Sequence, residues 1–369
     1  MRVLPLILII LAATASAAEA PYPLWDTVES VADYAKKVNL PPAKTLDLGN
    51  GVKLELVLIP AGTFMMGTPE PIPIDEDAFM MRVVIGQAIL AISSSVMLVL
   101  LATVIIRAVR KYQRPKFSLA RLLAMTMVTG IAVGGALHWQ LSVRQLGQAK
   151  IENKAAKARL FLAYESETPA HPVTITKPFY LGKYAVTQEQ FQAVTSSNPS
   201  HFKGMDNPVE MVSWYEAQAF CENVTKQTKE NLCLPTEAEW EYACRAGTTS
   251  MYYSGDADKD LDRVAWSLVN SGRTTHPIGQ KQPNAFGLYD MHGNVWQWCR
   301  DLWDEYYYMK SPAENPQGPS QGGNRVFRGG SWGDSSAACR SASRCWTAPG
   351  SRIYLVGFRV ALTPTFRTP

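Results

Sequence analysis

The sequence predicts an α+β domain that is split by a two-helix transmembrane hairpin. Two kinds of pattern carry this. Short alternating apolar runs and capped helix starts lie on both sides of the split, and two long apolar runs lie within it.

Residues 1–17, MRVLPLILIILAATASA, read as a secretory signal, with Arg2 as the positive start, an apolar run over 3–13 and Ala15-Ser16-Ala17 as the cleavage site. An uncleaved anchor fits the same residues, and either reading directs the chain out of the cytosol. The first part of the domain occupies 21–69. Within it, TLDLGNGVKLELVLIPAGTFMMG (45–67) reads as paired strands, because Leu54, Leu56 and Leu58 alternate and Gly62 and Gly67 mark turns.

Residues 70–168 read as an insertion. Its first apolar run, 83–106, makes ~36 Å of helix at ~1.5 Å per residue, enough for a ~30 Å hydrocarbon core. The second, 119–139, is just long enough, with Arg121 near its start where it can snorkel. Between them RAVRKYQRPK (107–116) is rich in Lys and Arg, which keeps a short loop cytoplasmic. Both flanking parts then face outward, in agreement with the leader. A charged, Ala-rich helical stalk over 141–164 follows.

The main part of the domain covers 169–365. An alternating strand near 171 gives way to Thr187, an N-cap with Gln190 in the capping-box position. NPVEMVSWYEAQAFCENV (207–224) reads as a helix burying Val212, Tyr215, Ala219 and Val224. In LPTEAEWEYACRAGT (234–248), Thr236 and Glu239 form a second box, Trp240, Tyr242 and Ala243 face the core, and Gly247 ends the helix. Glu237, Glu239 and Glu241 read as capping and solvated residues rather than acid–base groups.

At 369 residues, 47% apolar and 18% charged, the chain has a globular composition with some membrane content. A net charge of +4 gives no sign of a nucleic-acid partner. The six cysteines, Cys221, Cys233, Cys244, Cys299, Cys339 and Cys345, form an even set in an exported chain, which favours disulfides. Six allow 15 pairings, Cys244 with Cys339 among them, and free thiols remain the alternative. His138, His171, His201, His276 and His292 show no spacing for zinc or non-haem iron.

Four motifs in order, LPTEAEWEYACRAGT, NAFGLYDMHGNVWQWCRDLW (284–303), RVFRGGSW (325–332) and GFR (357–359), resemble the formylglycine-generating enzyme family, or sulfatase-modifying factors. IPAGTFMMGT (59–68) is similar to the opening strand of that family. The resemblance implies a C-type-lectin-like fold with little regular secondary structure, whose many tryptophans and tyrosines fill the core.

It also implies a calcium site. Matched residue by residue, its ligands are Asp290, Gly293, Val295 and Gln297, with Gln297 where a Glu is usual. The family's enzymes oxidise a substrate cysteine with Cu(I) held by two cysteines four residues apart, just after the serine matched by Ser331. Soft Cu(I) needs thiolates. Here the first position falls at or near Asp334 and the second has no counterpart, which argues against copper. Cys339 and Ser331 remain the candidate catalytic residues.

Whether the chain is an enzyme stays open. One reading is a membrane-tethered, extracytoplasmic binding or divergent module, with a protein, peptide or glycan partner. The other is an oxidase forming formylglycine on a sulfatase.

Overall fold

The computed structural model describes residues 22–68 and 165–364. The leader, both apolar runs (83–106 and 119–139) and the stalk (141–164) lie outside the described residues. Among the described residues no helix is long and apolar enough to cross a membrane.

The helices are short: α1 (Val31–Lys37), α2 (Gln188–Thr195), α3 (Trp214–Thr228), α4 (Glu237–Arg245) and α5 (Asp258–Val264). Helices of this length are marginal alone, so caps and packing hold them. Thr187 caps α2 with Gln190, Ser213 caps α3 with Glu216, and Thr236 caps α4 with Glu239, each a complete capping box. Such a cap contributes ~1 kcal/mol. The expected helix over 207–224 is corrected by this geometry. Because Ser213 is the cap, the helix spans Trp214–Thr228 and buries Ala217, Phe220, Cys221 and Val224, while Tyr215 and Ala219 face solvent.

Among the described residues thirteen strands form four sheets. The five-stranded sheet runs β1 (Ala43–Asp47), β2 (Lys53–Ile59), β5 (Phe179–Gly182), β13 (Ala361–Leu362), β6 (Leu232–Cys233). The four-stranded sheet runs β11 (Arg344–Thr347), β10 (Arg325–Arg328), β9 (Trp296–Leu302), β12 (Val356–Phe358). Two ribbons complete the set, β3 (Gly62–Met66) with β4 (His171–Ile175), and β7 (Ala265–Trp266) with β8 (His292–Gly293). On β2 the alternation is as read: Leu54, Leu56 and Leu58 point inward against Tyr34, Phe191, Phe220 and Phe358. Stacking of Phe191 on Phe220 and edge contact with Phe358 join α2, α3 and β12. Burying each such side chain contributes about 1.5–3 kcal/mol.

The strands before residue 68 pair with those after 165. β3 lies antiparallel to β4 with Met66 opposite His171, and β2 pairs with β5. Thr68 N–H donates to the Glu167 carbonyl at 3.0 Å, and Thr68 Oγ1 donates to Glu167 Oε2 at 2.7 Å.

Below this junction lies a buried ionic network. Arg340 grips Glu167 through two bonds of 2.7 Å. Arg344 grips Glu237 at 2.6 and 2.8 Å and donates to the Ser166 carbonyl. Glu241 accepts from Arg328, from Arg245 and from Gly67 N–H. The solvated reading of Glu237 and Glu241 is therefore corrected. Both are buried and paired with arginines brought by β10 and β11.

Candidate functional site

The loop after β10, GGSWGDSSAAC (329–339), carries Ser331, Asp334 and Cys339. Gly330 has φ +75°, and a Cβ there would fall 2.5 Å from Cys339 Sγ, so only glycine lets the turn lie on the thiol. Ser331 folds the loop back on itself: its carbonyl accepts from Asp334 N–H at 3.1 Å and its Oγ accepts from Gly333 N–H at 3.3 Å. Ser331 Oγ donates to Asp334 Oδ2, and Trp296 Nε1, from β9, donates to the same oxygen at 2.8 Å. Burial raises the pKa of Asp334, and these two donors oppose it.

Ser331 is 0% exposed, and so is Cys339. Burial pushes the Cys339 thiol up and the nearby Asp334 charge adds to this, so it stays protonated. Cys339 packs with Tyr252, Leu261, Val264 and Ala265, whereas Cys345 packs against the separate core cluster around Phe327. The two thiols do not converge. Among the described residues no group of three or more His, Cys, Asp and Glu side chains is placed to hold a metal ion.

All six cysteines stand as free thiols in this structure, Cys244 and Cys339 included. Cys244 Sγ instead packs 3.8 Å from His292 Nε2. The His292 ring is fully occupied: Nδ1 donates to the Cys339 carbonyl at 2.7 Å and Nε2 accepts from Tyr253 N–H at 3.1 Å. Burial holds its pKa down to about 3, leaving a neutral, structural histidine.

The residues matched to the calcium ligands come together around Asp290, which has φ +52°. Asp290 Oδ2 accepts from Gly279 N–H at 2.8 Å, and Oδ1 is buried without a hydrogen-bond partner. Gly293, φ +78°, presses on Trp266 across β7–β8, and Val295 is buried beside it. Gln297 Oε1 accepts from Trp240 Nε1 at 2.8 Å and from Arg359 Nε at 3.0 Å, and Nε2 donates to the Asp290 carbonyl at 2.8 Å. That amide offers no lone pair to a cation, so the arrangement does not fit the expected calcium set.

Two features were not singled out in the sequence. An aromatic cluster flanks the loop: Phe202 meets Trp332 edge-on at 5.2 Å, Trp332 lies 5.7 Å from Tyr354, and His201 contacts both Phe202 and Tyr354. Tyr354 is 47% exposed and forms its outer edge. Behind it, Glu210 is fully buried. Its Oε1 accepts from Phe202 N–H at 2.8 Å, and its Oε2 has no partner.

Burial pushes the Glu210 carboxyl up from 4.5 to about 7. A carboxyl raised on folding is best tolerated below the unfolded value, so stability is lost as pH rises from 4.5 through 7. At ~1.4 kcal/mol per pKa unit, the loss is on the order of 3–4 kcal/mol. Denaturant unfolding should show Glu210→Gln to be as stable as the parent near pH 4.5 and more stable at pH 8.

The chain belongs to the sulfatase-modifying factor enzyme 1-like domain family, which matches residues 141–364. Its relatives carry several names. It is 32% identical to the chaperone protein LppX of Paenibacillus barcinonensis, covering 42% of this chain and 69% of that one. It is 37% identical to the formylglycine-generating enzyme of Streptomyces coelicolor, covering 42% and 52%. It is 32% identical to the serine/threonine-protein kinase pkn1 of Chlamydia pneumoniae, covering 53% and 34%. The chain thus spans about half or less of the latter two.

Among solved structures, Treponema denticola variable protein 1 superposes with a TM-score of 0.58 at 24% identity, covering 88% of this chain and 100% of that one. PvdO from Pseudomonas aeruginosa gives 0.56 at 22%, covering 87% and 98%. The fold is therefore the formylglycine-generating-enzyme-like, C-type-lectin-like one.

Proposed function

We propose that this protein is a membrane-tethered, extracytoplasmic module that binds an extended peptide through the surface around Trp332 and Tyr354, and that it lacks the copper oxidase chemistry of formylglycine-generating relatives. One observation carries the reading. Where a metal thiolate is expected, Asp334 stands locked by Ser331 Oγ and Trp296 Nε1, and the one nearby thiol, Cys339, is buried and protonated.

Oxygen and a neutral thiol make a poor home for Cu(I). Relatives named as a chaperone and as a kinase share the domain, in keeping with a scaffold that serves more than one activity. The tether rests on the apolar runs 83–106 and 119–139 and the basic loop between them.

The alternative, a formylglycine-generating oxidase acting on a sulfatase, has the 37% identity with the Streptomyces enzyme in its favour. The two are separated by copper. The purified protein is expected to release Cu(I) on dialysis and to leave a Cys-x-Pro-x-Arg peptide unchanged by mass spectrometry. Stoichiometric Cu(I), lost on Cys339→Ser, together with conversion of the peptide, would establish the oxidase instead.

A further inference from the structure

The constellation around Gln297 is closed. Trp240 Nε1 and Arg359 Nε both need an acceptor, and the Asp290 carbonyl needs a donor. Only one orientation of the amide satisfies all three, with its oxygen toward the indole and guanidinium and its nitrogen toward the carbonyl. A glutamate here would serve the two donors with one oxygen and leave the second facing the Asp290 carbonyl. The amide puts N–H in that place.

Charge leads to the same result. Arg359 is fully buried and donates to the Gly182 and Tyr289 carbonyls and to Gln297, all neutral acceptors. The acidic group acting on it is Asp290, buried alongside. One carboxylate and one guanidinium cancel. A divalent cation added beside them would leave two positive charges uncompensated in a dry interior, a large desolvation cost. With glutamate at 297 the balance without metal is one negative charge, and a bound divalent cation leaves one positive charge uncompensated instead of two.

We propose that Gln297 converts the family's calcium position in this chain into a metal-free, hydrogen-bonded joint, and that Gln297→Glu alone installs a divalent-cation site there. The joint links α4 through Trp240, β9 through Gln297, and the segment after β12 through Arg359, so its closure makes the fold independent of calcium.

Thermal unfolding of the full chain and terbium luminescence test this together. Trp240 lies 2.8 Å from the Gln297 oxygen, close enough to sensitise a lanthanide held there. The parent is expected to unfold at the same temperature in excess EDTA and in excess calcium, and to show no stoichiometric terbium emission. Gln297→Glu should gain terbium emission that calcium displaces, with calcium raising its Tm over EDTA by roughly 5 °C or more.

Two results would overturn the proposal. One is calcium-displaceable terbium emission in the parent that Asp290→Asn abolishes. The other is a folded Gln297→Glu protein indifferent to both ions. If Gln297→Glu does not fold under either condition, the parent's terbium titration decides the question.

Discussion

Glu167→Ala is expected to lower global stability by about 3–5 kcal/mol, the cost of leaving one partner of a buried ion pair uncompensated. Glu167 is fully buried and receives both bonds of the Arg340 fork at 2.7 Å. Arg340 also donates from Nε to the Ala337 carbonyl, which ties the fork to the short turn Ser336–Cys339 beneath Ser331. Removing the carboxylate strands a guanidinium in the interior and releases Thr68 Oγ1 from the same acceptor.

Thr68→Val, which takes away one neutral donor, should cost only ~1 kcal/mol. Denaturant midpoints of the two variants provide the check. A Glu167→Ala loss no larger than that of Thr68→Val would mean that the 165–168 segment does not belong to the cooperative unit.

The second large effect is expected at Gly293. A Cβ there would sit 2.2 Å from the Trp266 carbonyl oxygen and 2.9 Å from its carbon, and both are backbone atoms that cannot swing aside. The residue also has φ +78°. Left-handed backbone costs ~1–2 kcal/mol for a residue with a side chain, and forced overpacking adds ~1–3 kcal/mol. Gly293→Ala should therefore lose about 3 kcal/mol and separate β7 from β8. Gly287 supplies the control, since it has φ +80° and no atom within 4 Å of the added carbon. Gly287→Ala should show the backbone cost alone. Thermal unfolding of the pair isolates the steric part, and equal losses would contradict the close approach to Trp266.

What could be read from the sequence was local. Thr187 with Gln190 and Thr236 with Glu239 are three residues apart, so their capping boxes are visible as text. The alternation of Leu54, Leu56 and Leu58 is likewise a near-neighbour signal. The helix near 207–224 went out of phase because Ser213 and Glu216, an equally local box, were passed over. A start seven residues early lets Val212 set the helical phase and turns Tyr215 and Ala219 inward.

The arginine network could not be seen that way. Glu241 meets Arg328 across 87 positions and Arg340 meets Glu167 across 173, and a glutamate followed by helix looks like any capping residue. At the candidate site, motif order singled out Ser331, Asp334 and Asp290 from their neighbours. Which atoms of Gln297 are taken, and that Cys339 lies under Gly330 out of solvent, depend on side-chain packing that no spacing rule encodes.

The bond between Thr68 and Glu167 brings the two edges of the long interruption to within one hydrogen bond of each other. A chain that leaves and re-enters through a single doorway can be resealed there. Grafting residue 68 to residue 165 with a few glycines should yield a stand-alone globule, and the same doorway would accept an unrelated passenger in its place.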